Sequence, residues 1–231
     1  MTGKFYGVGV GPGDARMLTK QGMEVLEKGD VICAPISQLG RESSALKVVE
    51  ELVEGKEIME LVFPMTKDEE VLKSCWEKAG RQIMAQLEKG HDVAFITLGD
   101  PTFYSTFLYV LEELRNKEVE IETVPGVTSL SACLAAGNVA LAIGEDKVAV
   151  LPASKAKGKL EALLGEFDSI VLMKAKDLRD VARELRTLDM EGAARVFTKC
   201  GSKEFASYPL SALKEKKLDY FSMVLIRSRK K

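Results

Sequence analysis

The sequence predicts an α/β protein of two lobes, and three observations lead there. Short apolar runs alternate with amphipathic segments along the whole chain. The run DVAFITLGDP at 92–101 is nearly continuous in apolar residues, as expected of a strand covered on both faces. The charge balance also reverses near residue 123: residues 1–123 hold 14 Lys and Arg against 22 Asp and Glu, and residues 124–231 hold 19 against 13. The expected division is an N-terminal α/β domain with a parallel sheet over 1–123 and a C-terminal α/β domain with a mixed sheet over 124–231.

Each element has its own signal. FYGVGV reads as the first strand, followed by a helix over 18–29 that Gly29 ends. DVICAP is a second strand, ALKVVEELVEG a helix and EIMELVF a short strand. A long helix at 68–90 follows, with Val71, Cys75, Ala79, Ile83 and Leu87 at helical spacing and Trp76 in a packing role. After the buried strand at 92–101, FYSTFLYVLEELRNK is a helix and VEIETV a fifth strand. The second lobe offers five strands in KVAVLPA, SIVLMKA, ARVFTKC, EFASYPL and FSMVLIRS, with helices near 156–165 and 176–188. The tail RSRKK reads as a frayed, soluble end.

Composition excludes several classes. At 231 residues, 46% hydrophobic and 29% charged, the chain can bury a substantial core. A net charge of −2 argues against a nucleic-acid partner. The start, MTGKFYGVGV, has one basic residue and interrupting glycines, unlike a signal peptide. Residues 123–144 are uncharged up to Gly144 but broken by Pro125, three glycines and Asn138, which suits a buried helix with flanking loops better than a membrane span. Cys33, Cys75, Cys133 and Cys200 lie 42, 58 and 67 residues apart, a spacing with neither zinc pairing nor a dense disulfide framework. Buried free thiols in a reducing cytoplasm, and no protein-bound metal, are the expectation.

GVGVGPGD at 7–14 raises the question of a phosphate loop. It fails the dinucleotide fingerprint, because the third glycine position is Pro12 in one register and Asp14 in the other. Proline has no N–H to offer a phosphate, and an aspartate repels one. No Gly-Lys-Ser/Thr follows, so the mononucleotide loop fails too. Gly7, Gly9 and Gly11 leave one strand face without Cβ atoms, open either to a tightly packed helix or to a ligand or domain contact. Two further bends, Leu98-Gly99-Asp100-Pro101 and VPGVTS at 124–129, also stand just past strands, and the second gives Thr128 and Ser129 to a helix start. Ligands gather at the carboxyl ends of strands in open α/β sheets, so these bends are expected to frame one pocket.

Together YGVGVGPGD, ITLGDPTFYST, TVPGVTSLSA and FSMVLIRS resemble the tetrapyrrole (corrin/porphyrin) methylases along essentially the whole chain. GDPTFYST followed by EDKVAVLPA is most similar to their precorrin-2 / cobalt-factor II C-20-methyltransferase branch. Uroporphyrinogen-III methylases usually carry Gly-Gly-Asp-Pro where Leu98-Gly99-Asp100-Pro101 stands, and diphthine synthases share the Gly-Asp turn with different residues after it. The resemblance implies two α/β lobes with the active site in the cleft between them, a homodimer, and S-adenosylmethionine converted to S-adenosylhomocysteine. Residue by residue, it implies cofactor contacts from Pro12, Leu98, Gly99, Asp100, Phe103, Thr128, Ser129, Met173 and Lys199.

The acceptor it implies, a meso carbon of a tetrapyrrole with many carboxylates, must lose a proton after methylation. His91 is the chain's one histidine and sits in a turn, so Asp14, Asp100, Tyr104 or water remain as acceptors. Lys155, Lys157, Lys159, Lys174, Lys176 and Lys199 are candidates for meeting substrate carboxylates. A nicotinamide-dependent oxidoreductase stays in view despite the broken fingerprint, as does a module that binds the donor without chemistry.

Overall fold

A computed structural model describes residues 2–213, 218 and 221–227; of the expected basic tail, only Arg227 falls among them. The chain divides into two compact units, Met1–Ser129 and Leu130–Lys231.

The first unit is built on five parallel strands: β1 Phe5–Gly9, β2 Val31–Ile36, β3 Glu57–Val62, β4 Val93–Thr97 and β5 Ile121–Val124. Their order is β3-β2-β4-β1-β5. The chain leaves β1 toward β2 on one side and leaves β4 toward β5 on the other, so the strand order reverses between two adjacent strands. Their carboxyl ends are the topological switch point, where open sheets bind ligands.

The helices form where their end signals lie. In α1, Lys20–Lys28, the Thr19 hydroxyl accepts from Gly22 N at 3.0 Å, and Gly29 N closes the last turn on Val25 O at 2.8 Å. α2, Ser44–Val49, is shorter than the sequence suggests and gives way to turns before Gly55. In α3, Glu69–Leu87, Asp68 accepts from Glu70 N and Val71 N, and two glutamates in the first turn suit the helix dipole. Its Ala79, Ile83 and Leu87 are buried as the spacing predicts; Val71, on the first turn, is exposed. Trp76 packs as expected, stacked on Tyr109 with ring centroids 4.2 Å apart. Tyr109 lies on α4, Phe107–Leu114, which starts later than its apolar pattern because side chains from Asp100 to Ser105 tie the preceding backbone into a loop. The glycine-lined face of β1 serves α4 at one point: a Cβ on Gly7 would stand 2.2 Å from the Phe107 ring.

The second unit has a mixed sheet. Its strands are β6 Val148–Pro152, β7 Ser169–Met173, β8 Ala194–Thr198, β9 Ala206–Pro209 and β10 Met223–Arg227, ordered β6-β7-β10-β8-β9. β6 and β7 are parallel, whereas β10 runs antiparallel to β7 and β8. One face packs Leu172, Val196 and Val224 with residues of α6 Ala153–Ala156, α7 Leu160–Glu166 and α8 Arg179–Thr187. On the other face Val171, Phe197 and Leu225 pack with Cys133 and Leu134 of α5, Ser129–Ala136, the buried helix expected within 123–144. Among the described residues no helix is long and apolar enough to cross a membrane.

The four-thiol expectation needs correction. Cys33 and Cys75 are free, but Cys133 and Cys200 form a disulfide with Cα atoms 5.0 Å apart. The bond joins α5 to the residue two past the end of β8, a meeting that a separation of 67 residues does not announce.

Candidate functional site

The three glycine bends of the first unit meet at the switch point. Val10 N donates to Thr97 O at 3.0 Å, Gly11 N to Gly99 O at 3.3 Å, and Gly99 N to Gly11 O at 2.8 Å. Gly11 and Gly99 hold φ of 74° and 81°, the left-handed region that glycine enters without strain. The third bend lies closer still: a Cβ on Gly126 would stand 2.2 Å from Gly99 O and 2.7 Å from the Gly9 Cα. Absent side chains at Gly9 and Gly126 are therefore what allows β1, β4 and β5 to end in one cluster.

Asp100 ties the second bend to the third. One carboxylate oxygen accepts from the Thr102 amide at 2.8 Å and from the Thr102 hydroxyl; the other accepts from Gly126 N at 2.9 Å. Burial pushes its pKa up, but the bonds from the Thr102 hydroxyl, Gly126 N and Thr102 N outweigh burial and hold the carboxyl below its ordinary value. The sign follows: this clamp contributes fully above the unfolded carboxylate value of about 3.9 and is lost as pH falls through the lower folded value. Wild type is thus expected to exceed Asp100→Asn in stability at neutral pH, with the gap closing below about pH 4 in acid-unfolding curves monitored by circular dichroism.

The neighbouring residues group around this cluster. Pro12 is buried in the first bend and Leu98 half-buried before the second; Phe103, Thr128 and Ser129 are half-buried as well. Asp14 caps a short 3₁₀ turn, accepting from Arg16 N at 2.9 Å, and its carboxylate is gripped by the Arg16 guanidinium at 2.6 Å. Tyr104 has φ of 54° and is 45% exposed. His91 fills its turn role, with Nδ1 3.0 Å from Gln86 Oε1.

Met173 and Lys199 belong to the second unit. There the pairing Leu172–Val224–Val196 aligns β7, β10 and β8, so Met173 and Lys199 stand at one end of the sheet. Lys199 has φ of 52° and forms an ion pair with Glu204. Of the other candidate lysines, Lys157 pairs with Asp180 at 2.8 Å, while Lys155, Lys159, Lys174 and Lys176 are exposed.

Sequence reasoning missed the buried hydroxyl pair that fixes the loop after β4. Thr97 and Ser105 lie with their oxygens 2.8 Å apart, and Ser105 also accepts from Phe107 N at 3.1 Å. A Ser two residues before a helix was the available signal.

Chemically, the cluster does not present a phosphate cradle. The amides of Gly11, Gly99 and Gly126 are already donated within it, Pro12 and Pro101 have none, and Asp14 and Asp100 add negative charge. The arrangement suits a ligand without phosphate, and positive charge is favoured near Asp100. Among the described residues no group of three or more His, Cys, Asp or Glu is placed to hold a metal ion.

Residues 4–214 match the family described as Tetrapyrrole (Corrin/Porphyrin) Methylases. The chain is 44% identical over 186 residues, 80% of its length and 78% of the relative's, to the "Probable cobalt-precorrin-2 C(20)-methyltransferase" of Methanocaldococcus jannaschii. It is 31% identical to the precorrin-2 C(20)-methyltransferase of a Sinorhizobium species, covering 97% of this chain and 95% of that one. The fold is shared with the uroporphyrin-III-C-methyltransferase of Thermus thermophilus, with TM-score 0.66, 22% identity, and coverage of 99% and 93% of the two chains. A match over nearly the whole chain, on a fold whose bends meet at the switch point, places the protein among the tetrapyrrole (corrin/porphyrin) methylases.

Proposed function

We propose that the protein is an S-adenosylmethionine-dependent C-methyltransferase of cobalamin biosynthesis that methylates C-20 of precorrin-2 or its cobalt-bearing counterpart. The named relatives support the substrate. The observation that carries the donor is the bend cluster, whose amides are consumed internally and whose carboxylates favour a cation over a pyrophosphate. The same cluster opposes a nicotinamide-dependent oxidoreductase.

The donor supplies an electrophilic methyl group on a cationic sulfur. Pro12, Leu98, Gly99, Phe103, Thr128, Ser129, Met173 and Lys199 are the proposed contacts of the donor, with apolar surface for an adenine and backbone groups for its polar edges. Asp100 holds the second and third bends in register and sets negative charge beside them. In-line displacement at carbon asks chiefly for alignment and exclusion of water, which rigid bends provide. The proton released from the meso carbon needs an acceptor. Asp14 is engaged by Arg16 and Asp100 is a weakened base, so water is the acceptor this reading favours. Exposed Lys155, Lys159, Lys174 and Lys176 suit the substrate's carboxylates. The reading carries a homodimer and a cytoplasmic setting with it.

Calorimetry tests the donor site: Asp100→Ala is expected to weaken donor binding at least several-fold while the protein stays folded. Unchanged affinity would refute the placement. Single-turnover transfer of labelled methyl to metal-free and cobalt-loaded dihydro-macrocycles, located by NMR, tests the reaction. Label at a carbon other than C-20, or donor bound without transfer, contradicts it.

A further inference from the structure

Five non-glycine residues hold positive φ among those described: Tyr104, Asn138, Lys174, Asp189 and Lys199. Asn138 and Asp189 are the types that tolerate this conformation, and both follow helices. Tyr104 is the aromatic exception, and for a bulky side chain such a backbone is an outlier.

Its neighbours impose the strain. On one side the Thr102 amide is bound to the Asp100 carboxylate at 2.8 Å and Phe103 N to Asp100 O at 3.3 Å. On the other, Ser105 is buried, with its hydroxyl on Thr97 at 2.8 Å and on Phe107 N at 3.1 Å. The chain must turn from half-buried Phe103 to buried Ser105 through one residue, a position where glycine would sit without penalty. A tyrosine occupies it instead, 45% exposed, its ring 4.9 Å from that of Phe103 and tilted by 55°. Strain held by a fixed frame points to a side chain needed for something other than folding.

We infer that the Tyr104 ring is a contact surface for one face of the tetrapyrrole, acting through its π-face and not through its hydroxyl. This rests on the methyltransferase reading above. The acceptor there is a broad conjugated ring with a carboxylate rim, and an aromatic side chain on a rigid bend binds such a face while leaving the rim to water and lysines. Tyr104 lies four residues beyond Asp100, so the same fixed loop that closes the bend cluster presents it. Rigid presentation orders the acceptor carbon toward the donor without a further ordering cost.

The test is titration of the full chain with the cobalt-loaded dihydro-macrocycle, followed by its visible absorbance, with donor affinity measured separately by calorimetry. Tyr104→Phe is expected to bind the macrocycle within about twofold of wild type, and Tyr104→Asn to bind it about tenfold more weakly. Donor affinity stays unchanged and the melting temperature does not fall in Tyr104→Asn, since Asn accepts the backbone. Tyr104→Gly, which also accepts it, should repeat the loss. Wild-type affinity in the Asn and Gly variants overturns the inference, and so does a Phe variant that loses as much as Asn, because the hydroxyl would then be the binding group. A wild-type protein that binds donor but no macrocycle overturns the substrate reading itself, a separate outcome.

Discussion

Gly126→Ala is expected to cost about 3 kcal/mol or more of stability and to remove donor binding. The added Cβ would meet backbone on two sides, Gly99 O at 2.2 Å and the Gly9 Cα at 2.7 Å. No rotamer relieves this, because the obstacles are the main chains of β4 and β1 where they leave the sheet. The third bend must move away, breaking the bond from Gly126 N to Asp100 and separating the groups of the proposed donor site. Gly165→Ala in α7 is the matched control. Nothing lies within 4 Å of its added Cβ and the site is helical, so that variant should be neutral or more stable by up to about 1 kcal/mol. Thermal unfolding and donor calorimetry on both variants decide the matter. A Gly126→Ala protein as stable as wild type would mean that the three bends do not meet as described.

Removing the disulfide has the other large expected effect. Cys133→Ala with Cys200→Ala should destabilise the second unit by about 4 kcal/mol, because the bond closes a 67-residue separation and restricts the unfolded chain accordingly. In a thermal scan this is a fall of roughly 15–30 °C for a unit of this size. Both sulfurs are buried, so a dithiol reductant should act slowly on the folded protein and quickly once it is denatured. Alkylation in denaturant counts the bond directly: two thiols without reductant, four after reduction. Four thiols before reduction would show that the pair is not bonded.

The bends themselves were legible because Gly, Pro and Asp mark turns by their own backbone chemistry, and the broken fingerprint at Pro12 and Asp14 argued against a pyrophosphate from residue order alone. What the bends do to one another was not legible. Gly7 and Gly9 look alike in the sequence, two glycines on one strand face. In the fold Gly7 makes room for a phenylalanine ring and Gly9 for the backbone of Gly126, so one is a packing glycine and the other shapes the candidate site. Asp100 likewise read as a candidate cofactor contact or proton acceptor, and only its bond to Gly126 N, 26 residues on, shows it as a clamp.

Alternating apolar and amphipathic segments determined the α/β class, the ten strands and the helices of substance, since hydrophobic periodicity and end caps are local properties written in consecutive residues. The tertiary structure alone decided the strand order with its reversal between β1 and β4, the union of Cys133 with Cys200, and the strained backbone of Tyr104. Each of these depends on which distant segments come to lie side by side. That is settled by burial and hydrogen bonding summed over a whole unit, which no short stretch of sequence contains.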